Sequence, residues 1–182
     1  MTLKEGISAE YFIASCPCDG RYLEFHLDNL SDNPAFSSIK NGQIVNIEAP
    51  KGDFILQEES TRPALFLAYA HGFAPIKSLI EHAIALETLT SFHLYWIVPP
   101  NEGGHYQNNL CRAWADALDN FQYTPLTGNE IKQSLRQVVE DYPDLKDVEV
   151  YLSGPKSFIT VAEAMLREHN LPETQFHVGK LN

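Results

Sequence analysis

The sequence predicts an α/β fold: a doubly wound, five-stranded parallel sheet preceded by a small, incomplete antiparallel β-barrel remnant. Two observations predict the sheet. Continuous apolar runs such as residues 64–69 recur in the second two-thirds of the chain, and they are typical of strands buried on both faces. They alternate with stretches whose apolar residues, such as Ile76, Leu79 and Ile80, fall three and four positions apart. Short connections between these segments favour parallel strands with helices on both faces.

The elements of this second segment follow one another in strict alternation. Strands are predicted at residues 64–69, 92–98, 121–124, 148–153 and 175–178. Helices are predicted from about Pro75, at about 108–118, at 130–141 and at 157–169. Ligands of such sheets bind at the carboxyl ends of the strands, near the point where the strand order reverses.

The first segment, residues 1–60, shows strand patterns and turn chemistry instead. Strand-type runs at residues 10–15 and 22–27 flank the hairpin signal of Asp19 and Gly20. A short helix around residues 36–39 is followed by two more strand-type runs, at 44–49 and 54–56. We therefore expect about four antiparallel strands, with residues 61–182 forming a separate parallel-sheet domain.

Composition and charge exclude several classes of protein. The chain carries 24 acidic and 13 basic side chains, a formal net charge of −11, which argues against nucleic-acid binding because that requires clustered Lys and Arg. No stretch approaches the roughly 18 apolar residues of a membrane span, and the N-terminus lacks the pattern of a signal peptide. A soluble, cytoplasmic protein is expected. No group of residues has metal-ligand spacing, so no metal site is expected.

The cysteines give a further expectation about chemistry. Cys16, Cys18 and Cys111 are an odd number and too few for a disulfide scaffold. Cys16 and Cys18 could form half of a metal site, but no partners with recognisable spacing lie nearby. We expect all three to be reduced thiols.

Two predicted strand ends carry loops suited to a phosphate or a dinucleotide. The loop residues are Ala70, His71, Gly72 and Pro75 after the first strand, and Ser153, Gly154 and Pro155 after the fourth. Each loop leads into a helix whose first amides and positive dipole end favour an anion. Each could equally be a tight strand-to-helix turn without a ligand.

These loops together resemble those of the ferredoxin–NADP reductase and NAD(P)H:flavin oxidoreductase family. Residues 65–76, LFLAYAHGFAPI, are similar to the first nucleotide-binding loop of the family, and residues 150–155, VYLSGP, to its Cys-Gly-Pro loop beside the nicotinamide. Residues 10–15, EYFIAS, are similar to its flavin-binding strand. The order and spacing of these motifs match the family from about Ala9 to the C-terminus.

The resemblance implies a shortened flavin-binding segment followed by an NAD(P)-binding domain. The implied flavin contacts are Tyr11, which would stack on the ring, with Ile13 and Ser15 on the same strand. The implied dinucleotide contacts are Ala70, His71, Gly72, Pro75, Ser153, Gly154 and Pro155. Ser153 and His71 are the candidate catalytic residues, His71 because an imidazole titrates near neutral pH. More often, a histidine at such a position is a solvated loop residue or a substitute for a helix N-terminal cap.

The sequence departs from the family pattern at several ligand contacts. The arginine and the serine or threonine of the flavin strand are replaced by Ala9 and Phe12. The cysteine of the Cys-Gly-Pro loop is Ser153, and a glycine of the first loop is Tyr69. The arginine that follows the second strand is also absent, which favours NADH over NADPH.

The resemblance implies an oxidoreductase that transfers electrons between NAD(P)H and a flavin, FAD or FMN, or an electron-transfer partner protein. The alternative is a degenerate relative that keeps the fold as a binding or assembly module without turnover.

Overall fold

The second segment of the chain folds as the predicted parallel sheet. The computed structural model describes residues 9–27, 39–87 and 89–181. Within them the strands are β1 (Ala64–Tyr69), β2 (Phe92–Val98), β3 (Phe121–Thr127), β4 (Glu149–Pro155) and β5 (Phe176–Leu181). The α-helices are α1 (Phe73–Leu86), α2 (Asn108–Ala117), α3 (Ile131–Asp141) and α4 (Lys156–Arg167). The α/β fold class is thus confirmed.

The strand order is β3-β2-β1-β4-β5, and every neighbouring pair is parallel. The chain moves outward from central β1 to β3, and then crosses back to add β4 and β5 on the other side. Phe66 of β1 lies opposite Leu94 of β2 and Tyr151 of β4. The strand order therefore reverses between β1 and β4.

Two hydrophobic cores, one on each face of the sheet, explain why the strands are continuously apolar. Phe66 and Ala68 point into the core formed with α1 and α2, whereas Leu65 and Leu67 point into the core formed with α3 and α4. All four side chains are fully buried. A strand with one wet face would alternate apolar and polar residues, and β1 does not.

The edge strand β3 is longer than predicted. The sequence predicts an end at residue 124, before Pro125, but the strand continues to Thr127. Among the described residues β3 pairs only with β2, and an edge strand tolerates a proline because one side of its backbone needs no ladder partner. β5 likewise continues to Leu181, since Gly179 and Lys180 pair with Ser153 and Gly154.

The first segment is less regular than predicted. Antiparallel pairing appears at the bridge between Ile13 and Phe25, where the Ala14 amide also donates to the Glu24 carbonyl at 2.8 Å. Neither residues 44–49 nor residues 54–56 form a strand, although Leu56 is buried and packs into the core beside α1. Residues 36–38 of the predicted short helix lie outside the described residues. The barrel remnant and the domain boundary near residue 60 stay predictions.

The structure corrects the expectation that all three cysteines are reduced. Cys16 and Cys18 form a disulfide, and their Cα atoms lie 5.1 Å apart. A turn in which the Asp19 amide donates to the Cys16 carbonyl brings the two side chains together. Cys111 is a free, buried thiol, as expected.

Candidate functional site

The two predicted loops lie side by side at the carboxyl edge of the sheet. β1 ends at Tyr69 and continues through a short 3₁₀ turn, Ala70–Gly72, into α1. β4 ends at Pro155 and continues directly into α4. Because β1 and β4 are neighbours at the reversal of strand order, both loops open onto the crevice where ligands of such sheets bind.

Gly72 packs directly against the backbone of the second loop. A Cβ atom on this residue would lie 2.2 Å from the backbone oxygen of Ser153 and 3.0 Å from the amide nitrogen of Gly154. Only a residue without a side chain lets the two backbones meet in this way. The structure thus brings together two groups of predicted site residues that are far apart in the sequence.

Gly154 makes a second close packing contact possible, and this contact fixes the orientation of the bulky Tyr69 side chain. A Cβ atom on Gly154 would lie 2.8 Å from Phe158 Cδ1 and 3.0 Å from Tyr69 Cβ. The rings of Tyr69 and Phe158 stack with their centroids 5.0 Å apart. Tyr69 therefore packs against the core on the α3 and α4 side of the sheet.

Both helices that follow the loops begin without a side-chain cap. The residue at the N-cap of α1 is Gly72, and at the N-cap of α4 it is Pro155; neither makes a side-chain hydrogen bond to the first amides. Pro75, in the first turn of α1, is buried and needs no acceptor because it has no N–H. The positive ends of two helix dipoles therefore lie at the crevice.

Ser153 contributes its backbone rather than its hydroxyl to this edge. The side chain is fully buried, and the hydroxyl donates to the carbonyl of Gly179 on β5 at 3.0 Å. The predicted catalytic role of the Ser153 hydroxyl stays a prediction, and the buried hydrogen bond gives that hydroxyl a role in joining β4 to β5.

Ala70 adopts a backbone conformation that non-glycine residues rarely adopt, with φ at 50°. Its carbonyl accepts a hydrogen bond from the indole Nε1–H of Trp96 at 2.9 Å, which fixes the turn against β2. Ala70 and His71 line a depression of about 10 Å³ together with Trp96, Val98, Glu102, Gly104 and Tyr106.

His71 belongs to a group of aromatic and acid–base side chains that surround Tyr106. Its ring stacks on that of Tyr106 at 5.7 Å. The ring nitrogens of His26 lie 2.7 Å from the Tyr106 hydroxyl and 2.7 Å from a Glu24 carboxylate oxygen. Because a carboxylate only accepts, Nε2–H of His26 donates to Glu24, and Nδ1 of the same ring shares a second hydrogen bond with the Tyr106 hydroxyl. This chain of contacts joins the first segment to the nucleotide-type loop.

Removing only the Tyr106 hydroxyl tests that connection. We expect Tyr106→Phe to lower the free energy of unfolding by about 1 kcal/mol, because the hydrogen bond to His26 is lost while the stack on His71 remains. Urea denaturation measures the change. Tyr22, which is 54% exposed, is the matched control, and Tyr22→Phe is expected to leave stability unchanged. Equal stability of both variants and the wild type would contradict the structural role of the contact.

The three predicted flavin-strand residues lie on a segment that is anchored to α1. Ile13 is bridged to Phe25, and Tyr11 is partly buried. Ser15 is buried: its hydroxyl oxygen accepts the Glu24 amide at 3.2 Å, and its carbonyl accepts the Ser78 hydroxyl at 2.7 Å. The Ser15 hydroxyl therefore stabilises the segment internally. Of the three residues, Tyr11 is the one with an aromatic ring.

Lys77 of α1 also anchors this segment. Its side chain is 5% exposed, and Nζ lies 2.9 Å from Glu24, 2.8 Å from Glu81 and 3.1 Å from the Ala14 carbonyl oxygen. Burial opposes the charge of Glu24, but hydrogen bonds from His26 and Lys77 outweigh it and lower the pKa of this carboxyl. Burial likewise opposes the charge of Lys77, and its two carboxylate partners outweigh that effect and raise its pKa.

Sequence reasoning missed Lys77, Glu24, His26 and Tyr106. Their contacts join positions 53 to 80 residues apart, and periodicity carries no information about such pairs. The sequence does contain one indication that Lys77 is buried, because this residue falls between Ile76 and Ile80 on the apolar side of α1. A charge in an apolar stripe indicates a buried partner of opposite sign.

The described residues contain neither a candidate membrane span nor a candidate metal site. No helix in the part of the chain that the structure describes is long and apolar enough to cross a membrane. Within residues 9–27, 39–87 and 89–181, no three His, Cys, Asp or Glu side chains are grouped so that they could hold a metal ion.

The chain is similar in sequence or in fold to several known reductases. No protein-family model matches the chain. It is 30% identical over 94% of its length to the CDP-6-deoxy-L-threo-D-glycero-4-hexulose-3-dehydrase reductase of Yersinia pestis, and spans 54% of that relative. It is 27% identical to the NAD(P)H-flavin reductase of Vibrio harveyi over 79% of this chain and 67% of the relative. A mutant ferredoxin–NADP⁺ reductase from Plasmodium falciparum has the same fold, with a TM-score of 0.74, 16% identity, and coverage of 98% of this chain and 79% of that one.

Proposed function

We propose that this chain, which is similar in sequence to NAD(P)H-flavin reductases and has the fold of the ferredoxin–NADP⁺ reductases, transfers electrons from NADH to a flavin. The observation that carries the proposal is the contact of Gly72 with Ser153, which joins two uncapped helix starts at the reversal of strand order. Because the chain spans about half of the Yersinia relative, its activity as a whole protein is part of the proposal.

We infer that a nicotinamide nucleotide would bind at this crevice. The positive end of the α1 dipole would attract the diphosphate beside Gly72, although the Phe73 amide already donates to Ala70 within the preceding turn. The backbone of Ser153 and Gly154, which leads into α4, would flank the nicotinamide. His71 would reach the phosphates from the same turn. The NADH hydride and one proton convert the oxidised flavin to its reduced form, and the protein orients the two reactants.

The flavin side fits a weakly bound flavin better than a permanent prosthetic group. Tyr11 would stack on the ring, but Ala9 offers no charge to a flavin phosphate, so a charge-assisted hydrogen bond is missing there. We therefore assign FMN, FAD or riboflavin the role of a diffusing substrate. The reduced flavin would pass its electrons to an acceptor, either in solution or on a partner protein. A cytoplasmic location, where NADH is supplied, is part of the same proposal.

Steady-state kinetics tests the activity. Purified protein is expected to be colourless and to oxidise NADH faster than the buffer control when FMN, FAD or riboflavin is added. If none of the flavins supports oxidation, and millimolar NADH leaves the melting temperature unchanged, the enzyme proposal fails. A ligand that binds only the folded state must raise apparent stability, so an unchanged melting temperature would favour the non-catalytic binding module.

The preference for NADH is proposed to come from Glu102. This residue follows β2 and lines the depression beside Ala70 and His71. No Lys or Arg lies between Ile97 and Cys111. In doubly wound folds, an acidic side chain near the end of the second strand binds a ribose hydroxyl of NADH, whereas a basic one binds the 2′-phosphate of NADPH.

We expect Glu102→Gln to raise kcat/KM for NADPH about tenfold relative to that for NADH, because a carboxylate no longer repels the 2′-phosphate. Steady-state rates with the two nucleotides and a fixed flavin measure the ratio. Glu140→Gln, on the exposed side of α3, is the matched control and should leave the ratio unchanged. A wild-type preference for NADPH, or the same ratio in both variants, would refute the role of Glu102.

A further inference from the structure

We propose that Cys16 and Cys18 form a reversible, thiol-reactive disulfide, a modification site that controls how firmly the flavin-strand segment is held against α1. The pair directly follows the segment that carries Tyr11, Ile13 and Ser15. Cys18 is exposed, whereas Cys16 is 8% exposed. One residue of the pair is therefore exposed to solvent and the other is shielded.

A role as a structural staple does not account for this disulfide. A disulfide stabilises a fold mainly by closing a loop of the unfolded chain, and the effect grows with the length of that loop. Here a single residue, Pro17, separates the two cysteines. In reducing compartments, disulfides that form are mostly transient and respond to thiols. The position and size of this ring thus favour reversible chemistry.

The reaction is a thiol–disulfide exchange with a low-molecular-weight thiol such as glutathione. A glutathione thiolate attacks the exposed Cys18 sulfur, forms a mixed disulfide there and releases the Cys16 thiolate, which takes up a proton. A second thiolate attacks the mixed disulfide, releases Cys18 as a thiol and leaves as oxidised glutathione. Overall, one protein disulfide and two thiols give two protein thiols and one oxidised glutathione.

Opening the ring affects the flavin segment because the disulfide lies within its anchor. Three hydrogen bonds dock this anchor on α1: Lys77 donates to the Ala14 carbonyl at 3.1 Å, Ser78 to the Ser15 carbonyl at 2.7 Å, and the Cys16 amide to Glu81 at 3.1 Å. The closed ring restricts the backbone conformations of residues 16–18. Reduction restores that freedom at the Cys16 amide, so the last of the three bonds is held less often.

Thiol counting tests the chemistry, and Cys111 supplies an internal control. Cys111 is fully buried, and burial raises its pKa to about 12, so it does not react in the folded protein. Protein isolated without reductant is expected to show no reactive thiol when folded and one when denatured. After reduction, the folded protein should show two, and glutathione buffers of varied ratio should interconvert the forms. Two reactive thiols at every ratio, or a disulfide that survives excess glutathione, would overturn the proposal.

Single variants test which sulfur is attacked. Cys16→Ser leaves the exposed Cys18, and Cys18→Ser leaves the shielded Cys16. In the folded protein, Cys18 is expected to react with an aromatic disulfide reagent at least about tenfold faster than Cys16, following exposure. Equal rates would contradict the assignment of Cys18 as the point of attack.

The effect on flavin rests on the proposed function, whereas the thiol chemistry does not. Titration with FMN is expected to give a dissociation constant about fivefold higher for the reduced protein than for the oxidised protein, within the range of a small disulfide ring. The double variant C16S/C18S should have the same dissociation constant for FMN as the reduced protein, and glutathione should not change it. Equal affinities in both forms would overturn the control of flavin binding. If FMN binds neither form, the proposed function fails and thiol counting still decides whether the site is reactive.

Discussion

Replacing Gly72 with alanine is expected to lower the free energy of unfolding by about 3 kcal/mol, the largest effect of any single methyl group at the candidate site. The added Cβ would lie 2.2 Å from the backbone oxygen and 2.6 Å from the backbone carbon of Ser153. These atoms belong to the buried strand β4, so they cannot swing aside as a flexible side chain would. Urea denaturation followed by circular dichroism measures the loss.

The matched control for this variant is Gly20→Ala, in an exposed turn where an added Cβ meets nothing within 4 Å. It is expected to leave stability unchanged. The Gly72 variant should also lose any rise in melting temperature caused by NADH, because the two loops are forced apart. If both glycine variants are as stable as the wild type, Gly72 does not pack against the Ser153 backbone as described.

Replacing Lys77 with methionine is expected to lower the free energy of unfolding by about 2 kcal/mol at neutral pH. The apolar part of the side chain is kept, but Glu24 and Glu81 lose the cation between them and the Ala14 carbonyl loses its donor. The two carboxylates are 31% and 25% exposed, so water screens part of the effect, and the value lies below that for a fully buried pair. Lys132→Met, at an exposed position on α3, is the control and should be nearly neutral.

The pH dependence of this effect has a definite sign. The pKa of Glu24 is lowered in the folded protein, so its contribution is present above the pKa of the unfolded chain and is lost as the pH falls through the folded value. The difference in stability between the wild type and Lys77→Met should therefore shrink between pH 7 and about pH 3. A difference that stays constant over this range would show that Lys77 acts only by packing.

The sheet could be predicted from the sequence because its signals are local. A strand such as Ala64–Tyr69 is buried on both faces, and this burial requires consecutive apolar residues, which can be seen in the sequence. The turn at Ala70–Gly72 and the proline at the start of α4 mark strand ends in the same local way. The end of β3 was predicted wrongly because Pro125 breaks a central strand but not an edge strand.

The interior of the site could not be predicted, because it depends on contacts between distant parts of the chain. The need for glycine at position 72 comes from the Ser153 carbonyl, which only the folded sheet brings near. The hydroxyl of Ser153 turns toward Gly179 on β5 rather than the crevice. The disulfide was missed for another reason, since counting cysteines says nothing about whether a turn around Pro17 brings two side chains together.

Chemical-shift mapping with NAD⁺ tests the central claim most directly, since that claim is that the loops after β1 and β4 form one dinucleotide crevice. The account predicts that millimolar NAD⁺ shifts the backbone amides of residues 70–74, 153–154 and 156–158 together, with a common dissociation constant. The amides of residues 144–148, before β4, should stay unchanged. Shifts confined to one loop, or no shift at either, would contradict the account.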